Sequence, residues 1–220
     1  MMEDWRHGGF GLYIHWPFCE SKCPYCDFNS YVSATVDNEM WEAALLSELD
    51  RHAALTPDRL LNSIFFGGCT PSLMPPKMVG RLIDRARSLW SFANDIEITL
   101  EANPSSVEAS RFADFRAAGV NRVSMGIQAL NDPDLKRLGR LHSVAEARSA
   151  LAVAKAYFDR VSFDLIYARQ DQTLEAWQSE LTQAIEMSAG HLSLYQLTVE
   201  PGTAFGFRAQ AGKLGGLPDE

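Results

Sequence analysis

Six stretches of this chain alternate apolar and polar residues with a period of two. They are Gly11–His15, Ser63–Gly67, Asp95–Glu101, Arg122–Gln128, Arg160–Tyr167 and His191–Thr198. Successive side chains of a strand point to opposite faces. Ile96, Ile98 and Leu100 therefore oppose Glu97, Thr99 and Glu101. In the same way Val123, Met125 and Ile127 oppose Ser124, Gly126 and Gln128, and Val161, Phe163 and Leu165 oppose Ser162 and Asp164. Leu12 and Ile14 oppose Tyr13 and His15 in the first stretch. Between the strands lie helical patterns near Asp37–Ala54, Pro76–Trp90, Val107–Ala118, Val144–Phe158 and Leu174–Met187. Ser105 with Glu108 and Ser143 with Glu146 read as capping boxes at two helix starts. Asp132–Pro133 places a proline at the first turn of another helix.

Strands alternating with helices predict a parallel sheet with right-handed crossovers. A parallel strand covered on both faces should be apolar throughout, and these strands are not. One face takes the helices, so the polar face must line a cleft or an interior. The expectation is an α/β fold, a partial (β/α)6 TIM-like barrel with a polar lumen; an ordinary barrel of this kind packs its interior with Val, Ile and Leu. A one-sided sheet with a solvated polar face is the alternative. Ligands of such folds bind at the C-terminal ends of the strands. Those ends carry Gly67-Gly68-Cys69-Thr70-Pro71-Ser72, Glu101-Ala102-Asn103-Pro104, Gln128 and Asp164.

The loop after the first strand carries Cys19, Cys23 and Cys26, spaced C-x-x-x-C-x-x-C. Structural zinc sites take four ligands and disulfides take cysteines in pairs. Iron–sulfur clusters normally take four cysteines, so three thiolates leave one iron of a [4Fe-4S] cluster open. S-adenosylmethionine can chelate that iron through its amino and carboxylate groups, and an electron from the cluster can then break a C–S bond. A Cys3His zinc site completed by His15 stays open as an alternative. A disulfide is not expected, because the chain reads as cytosolic. Pro17, Glu20, Lys22, Pro24 and Asp27 mark the segment as a polar loop and not a core strand.

The chain has 220 residues, enough for one domain with a full core. Its opening, MMEDWRHGGFG, has no apolar signal region, and no apolar run is long enough to span a bilayer. The expected location is therefore the cytoplasm. A formal net charge of -8 argues against nonspecific nucleic-acid binding.

The triad preceded by Tyr13, His15 and Pro17, the GG-x-TPS turn, EANP, the GIQ of Gly126–Gln128, LGRLHS and YQLTVEPGT together resemble the radical SAM family of oxygen-independent coproporphyrinogen III oxidases and their relatives. The resemblance runs from about Phe10 to Phe207, with the heme-chaperone branch nearest. It implies a barrel of the radical SAM type over residues 1–205. Residues 206–220 would begin a linker to a C-terminal domain that covers the barrel opening and holds the heme-binding residues. By resemblance, Cys19, Cys23 and Cys26 are cluster ligands, and Tyr13, Gly68 and Glu101 touch cluster-bound S-adenosylmethionine. Cys69, Thr70, Gln128, Arg140 and Asp164 match positions that hold a second S-adenosylmethionine in the oxidase. A surface ion pair is the plainer role for Arg140.

Two departures stand out. Cys69 replaces the third glycine of the usual turn, and Gln170 replaces a proline after the YAR segment. Cys69 is expected to crowd the S-adenosylmethionine site or reach the open iron; packing as a small buried hydrophobe is the alternative. The decarboxylases carry a further cysteine two residues beyond the third ligand, where this chain has Phe28. The resemblance thus implies a heme chaperone, with heme as cargo, heme-accepting proteins as partners and a flavodoxin or ferredoxin as electron donor. The alternatives are porphyrinogen decarboxylation and a zinc-stabilised binding domain.

Overall fold

A computed structural model describes residues 5–33 and 35–218. Six parallel strands form the main sheet: β1 (Gly11–Trp16), β2 (Leu60–Gly68), β3 (Ser91–Ala102), β4 (Arg122–Gln128), β5 (Arg160–Tyr167) and β6 (Leu192–Gln196). They lie side by side in chain order. Residues from β2 through β6 face one common cavity. The sheet is therefore curled, and the architecture is the expected partial barrel with a polar concave face.

The helices cover the convex face: α1 (Asn38–Leu55), α2 (Pro76–Leu89), α3 (Val144–Tyr157) and α4 (Leu174–Met187), with shorter pieces between them. Asp37 caps α1 by accepting from the Met40 N–H at 3.0 Å. Ser143 and Glu146 form the expected capping box at α3. In α2 the buried residues Met78, Val79, Leu82, Ile83 and Ala86 recur at helical spacing. They join Ile64, Phe66, Ile98, Leu100, Val123, Met125, Val161 and Phe163 in one hydrophobic core. Apart from Ile64 and Phe66 of β2, these are strand residues whose alternation set them on the helix side. Among the described residues no helix is long and apolar enough to cross a membrane.

The helix expected over 107–118 is two pieces, Ser106–Ala109 and Phe112–Ala117. Long-range polar ties hold the break. Arg111 donates to the carbonyls of Ser72 and Met74 at 2.8 and 2.7 Å, and Glu108 accepts from Ser72 and from the Asn103 N–H. The Ser105 cap is accordingly one-sided: its hydroxyl accepts from Glu108 N at 3.2 Å and donates to Glu108 Oε1 at 3.5 Å, but its own N–H donates to Asn103 O and not to the Glu108 carboxylate.

Strands β2 and β3 begin earlier than their alternation indicated. Leu60 and Leu61 pair with Ser91 and Phe92 before a register shift that hides the period. A helix at Ala204–Gln210 crosses the expected boundary at 205/206 and buries Phe205.

Candidate cofactor site at the strand ends

The β1–β2 register pairs His15 with Gly67 and Trp16 with Gly68. The cysteine loop and the glycine turn thus leave the same end of the sheet. The loop is closed at its base by a short ladder between Phe18–Cys19 and Tyr31–Val32 and by Tyr31 N donating to Pro17 O at 2.7 Å. Inside it, Cys26 N donates to Cys23 O at 3.1 Å. Gly139 adopts φ +68, and a Cβ there would lie 2.7 Å from Pro24 Cδ. Only glycine satisfies both the angle and the contact, so this glycine lets the LGRLHS segment pack on the cysteine loop.

Gly68 adopts φ +123, and a Cβ there would lie 2.5 Å from Trp16 O. Its N–H donates to Glu101 Oε2 at 3.1 Å, tying the β2 end to the β3 end. A second chain of bonds crosses the site. Asn103 Nδ2 donates to Thr70 Oγ1 at 3.2 Å, and Arg140 Nη2 donates to Asn103 Oδ1 at 2.5 Å and to Gly126 O at 2.8 Å. Arg140 Nη1 reaches Cys23 Sγ at 3.4 Å. Arg140 is therefore built into the site and is no surface ion pair. Beneath this layer, Arg122 donates to Thr99 Oγ1 at 3.1 Å and to Ser162 Oγ at 2.7 Å, and Ser124 and Ser162 hydroxyls lie 2.9 Å apart.

These strand ends enclose a cavity of about 410 Å³. Its wall includes Cys19, Cys23, Cys26, Gly68, Cys69, Thr70, Glu101, Gln128, Arg140 and Asp164, which brings together every expected site residue except Tyr13. Tyr13 is 56% exposed, stacks on Phe65 and is hydrogen-bonded to His15 Nδ1 at 3.1 Å, outside the cavity wall. The wall also holds residues not singled out from sequence: Tyr25, Asn103, Ser124, His142 and Tyr195. Asn103 and His142 lie within quoted motifs, EANP and LGRLHS, and Ser124 lies on the polar face. Tyr25 stood between two cysteines without any periodic signal.

Two buried carboxyls in the cavity wall hold their protons more tightly than in water. Burial, with the neighbouring Asp164 charge, pushes the Glu101 carboxyl up to about 7, against the opposing bond from Gly68 and the Arg122 charge. Burial also raises Asp164. Burial and the Arg140 cation press His142 down to about 4, so it is neutral at physiological pH, with Nε2–H donating to Ile127 O at 3.1 Å. Burial drives the Tyr25 phenol well above its ordinary range. Two buried polar atoms in the wall, Gln128 Oε1 and Arg140 Nε, have no hydrogen-bond partner among the described residues. Buried polar atoms normally find partners, so both mark places where a polar ligand would bond.

The sequence leads to the expectation of no disulfide, and the structure corrects it. Cys19 and Cys69 form a disulfide, with Cα atoms 5.5 Å apart, while Cys23 and Cys26 are free. The register explains the pairing: Cys69 N donates to Trp16 O at 2.9 Å, which sets residue 69 beside the chain leading to Cys19. Cys69 thus meets a neighbouring sulfur; it is not packed in apolar space. The left-handed backbone angle of the turn belongs to Gly68, and residue 69 is outside the positive-φ set. Among the described residues no group of three or more metal-ligating side chains is gathered as a metal site. The donor set suits an iron–sulfur cluster in chemistry, three soft thiols on one loop at the cavity wall, once the Cys19–Cys69 bond is open. His15 does not complete a zinc set, because Nδ1 bonds Tyr13 and Nε2 bonds Asn29 O at 3.0 Å.

The family model described as the Radical SAM superfamily matches residues 13–181. The heme chaperone HemW of Escherichia coli is 45% identical over 211 residues, covering 95% of this chain and 54% of that protein. The mitochondrial radical S-adenosyl methionine domain-containing protein 1 of Bos taurus is 42% identical over 204 residues, covering 92% of this chain and 46% of that protein. In structure, the coproporphyrinogen III oxidase HemN of Escherichia coli, a radical SAM enzyme, matches with a TM-score of 0.80 and 28% identity, over 95% of this chain and 48% of that one. The chain spans about half the length of the curated relatives it matches.

Proposed function

The chain belongs to the radical SAM superfamily, and on that premise we propose that it is the cofactor-bearing core of a heme chaperone. Cys19, Cys23 and Cys26 hold a [4Fe-4S] cluster in this reading, and S-adenosylmethionine occupies the neighbouring cavity. When bound, the cluster supplies an electron capable of breaking a C–S bond. The chain's own residues do the positioning. Glu101, pinned by the Gly68 N–H, accepts from an ammonium or a ribose hydroxyl. Gln128 Oε1 and Arg140 Nε offer the unpartnered acceptor and donor. Asp164, steadied by Ser124 Oγ at 3.4 Å, is the second carboxylate. Cys69 and Thr70 border the same space, and Tyr13 would have to turn inward to join them.

The observation that carries the chaperone reading is the 45% identity to heme chaperones across 95% of the chain. Phe28 supports it, standing where the decarboxylases carry a further cysteine. Phe28, Leu141 and Tyr195 are 58%, 74% and 56% exposed on the cavity wall, and offer apolar surface to a porphyrin face. The whole protein would receive electrons from a flavodoxin or ferredoxin and pass heme to acceptor proteins in the cytoplasm. The test gives the full-length, cluster-loaded protein coproporphyrinogen III, reductant and S-adenosylmethionine and, in a separate sample, heme. Stable heme binding without decarboxylated product is expected. Protoporphyrinogen formed at about one turnover per second or faster would replace this reading with the oxidase.

A further inference from the structure

Cys69 borders the cavity but is not one of the proposed cluster ligands. The cluster uses three cysteines, and the turn that holds Cys69 ordinarily carries glycine. Yet Cys69 is joined to Cys19, one of the three. Two features of the fold set this pairing. The β1–β2 register ends with Trp16 beside Gly68, and Cys69 N is bonded to Trp16 O. Residues 19 and 69, separated by 50 positions, therefore emerge side by side with a Cα separation of 5.5 Å, within the range a disulfide spans. Cys19 is 3% exposed. Cys69 is half-buried on the cavity wall, so a small thiol or disulfide reaches the pair from the cavity.

A sulfur in a disulfide cannot ligate iron. We propose that Cys19 and Cys69 form a thiol–disulfide latch that decides whether the cysteine loop can accept a cluster. This rests on the reading of Cys19, Cys23 and Cys26 as cluster ligands. The oxidant is a low-molecular-weight disulfide, RSSR. One protein thiolate attacks it, giving a mixed disulfide and one RSH; the second then displaces the other RSH and closes the Cys19–Cys69 bond. Two thiols lose two electrons and two protons, and RSSR becomes two RSH. A dithiol reductant reverses both steps and returns Cys19 to the loop. The closed form also protects Cys19 from further oxidation to its irreversible acids. Glycine at position 69 would give no such latch.

The test uses the full-length, cluster-free protein as wild type, Cys69→Ser and Cys69→Gly. Each is incubated with oxidised glutathione, freed of it and mapped for disulfides by peptide mass spectrometry. Each is then offered iron and sulfide without oxygen, before and after treatment with dithiothreitol. Oxidised wild type should show the Cys19–Cys69 link and lose most of its iron uptake, recovering it on reduction. The two variants should load iron whether or not they met the oxidant. Iron uptake by oxidised wild type equal to that of the reduced protein overturns the latch, as does an equal loss in the variants. If reduced wild type and both variants take up no iron, the cluster reading fails and takes the latch with it.

Discussion

Glu101→Gln should make the cluster-free chain more stable above neutral pH. The carboxyl of Glu101 is raised from 4.5 to about 7 in the fold, chiefly by burial. A raised acid pKa means the folded state holds its proton more tightly than the unfolded chain. The contribution is fully present below pH 4.5 and is lost as pH rises through 7. Each pKa unit is about 1.4 kcal/mol, so ionising this group in the fold costs about 3 kcal/mol; water entering the cavity makes that an upper figure. Glutamine keeps an acceptor for the Gly68 N–H and never ionises. Asp164 is raised in the same direction, so the variant keeps a residual slope. Urea unfolding with a thiol reductant, from pH 4.5 to 8.5, should give curves that coincide at the acid end. They should diverge by up to about 3 kcal/mol at the alkaline end, with the variant the more stable. A variant less stable at pH 8, or a difference that does not change with pH, would mean that burial of Glu101 carries no such cost. The same carboxylate should be relieved by a cationic ligand, so the stabilised variant should bind S-adenosylmethionine more weakly. Stability would then trade against binding at this position.

Two further substitutions separate scaffold from site. Arg169 is 3% exposed and donates to Asp134 Oδ2 at 3.0 Å and to Glu180 Oε2 at 2.6 Å; Arg169→Met leaves the buried Glu180 carboxylate without its cation, held only by the Leu130 N–H and Gln172 Nε2, and should cost about 3–5 kcal/mol by urea unfolding, whereas a loss below about 1 kcal/mol would mean that those neutral donors and water replace the ion pair. A Cβ at Gly126 would lie 2.9 Å from Gln128 Nε2 and 3.4 Å from Arg140 Nη2, both ends of flexible side chains. Gly126→Ala should therefore fold and load iron normally yet bind S-adenosylmethionine about tenfold more weakly, or about 1.4 kcal/mol, by calorimetry; unchanged affinity would remove Gln128 and Arg140 from the binding account.

The strands were legible because one face of the sheet is apolar and the other polar, which leaves a period-two alternation in the sequence. Ile98 and Leu100 fall in the core while Glu101 faces the cavity, as their parity requires. The convergence of strand ends follows from parallel topology alone, which is why the sequence itself groups Glu101, Gln128 and Asp164. Contacts between segments distant in sequence have no such signature. The register that brings Cys69 to Cys19 is one example. The bonds from Arg111 to Ser72 and Met74, which break the expected helix, are another. Arg140 looked like a loop cation because its three acceptors lie on separate elements. Arg169 sat next to a departure noticed at Gln170, but its carboxylate partners, Asp134 and Glu180, come from elsewhere in the chain.

In the proposed function three thiolates hold a cluster beside a cavity for S-adenosylmethionine. The most direct test measures iron and acid-labile sulfide in full-length protein prepared and reduced without oxygen, with EPR spectra before and after adding S-adenosylmethionine. Iron and sulfide in cluster proportion are expected, with a reduced-cluster signal that S-adenosylmethionine reshapes. Both should be lost when Cys19, Cys23 or Cys26 is replaced by alanine. Stoichiometric zinc without iron, in protein that never met oxygen, would contradict the cluster reading.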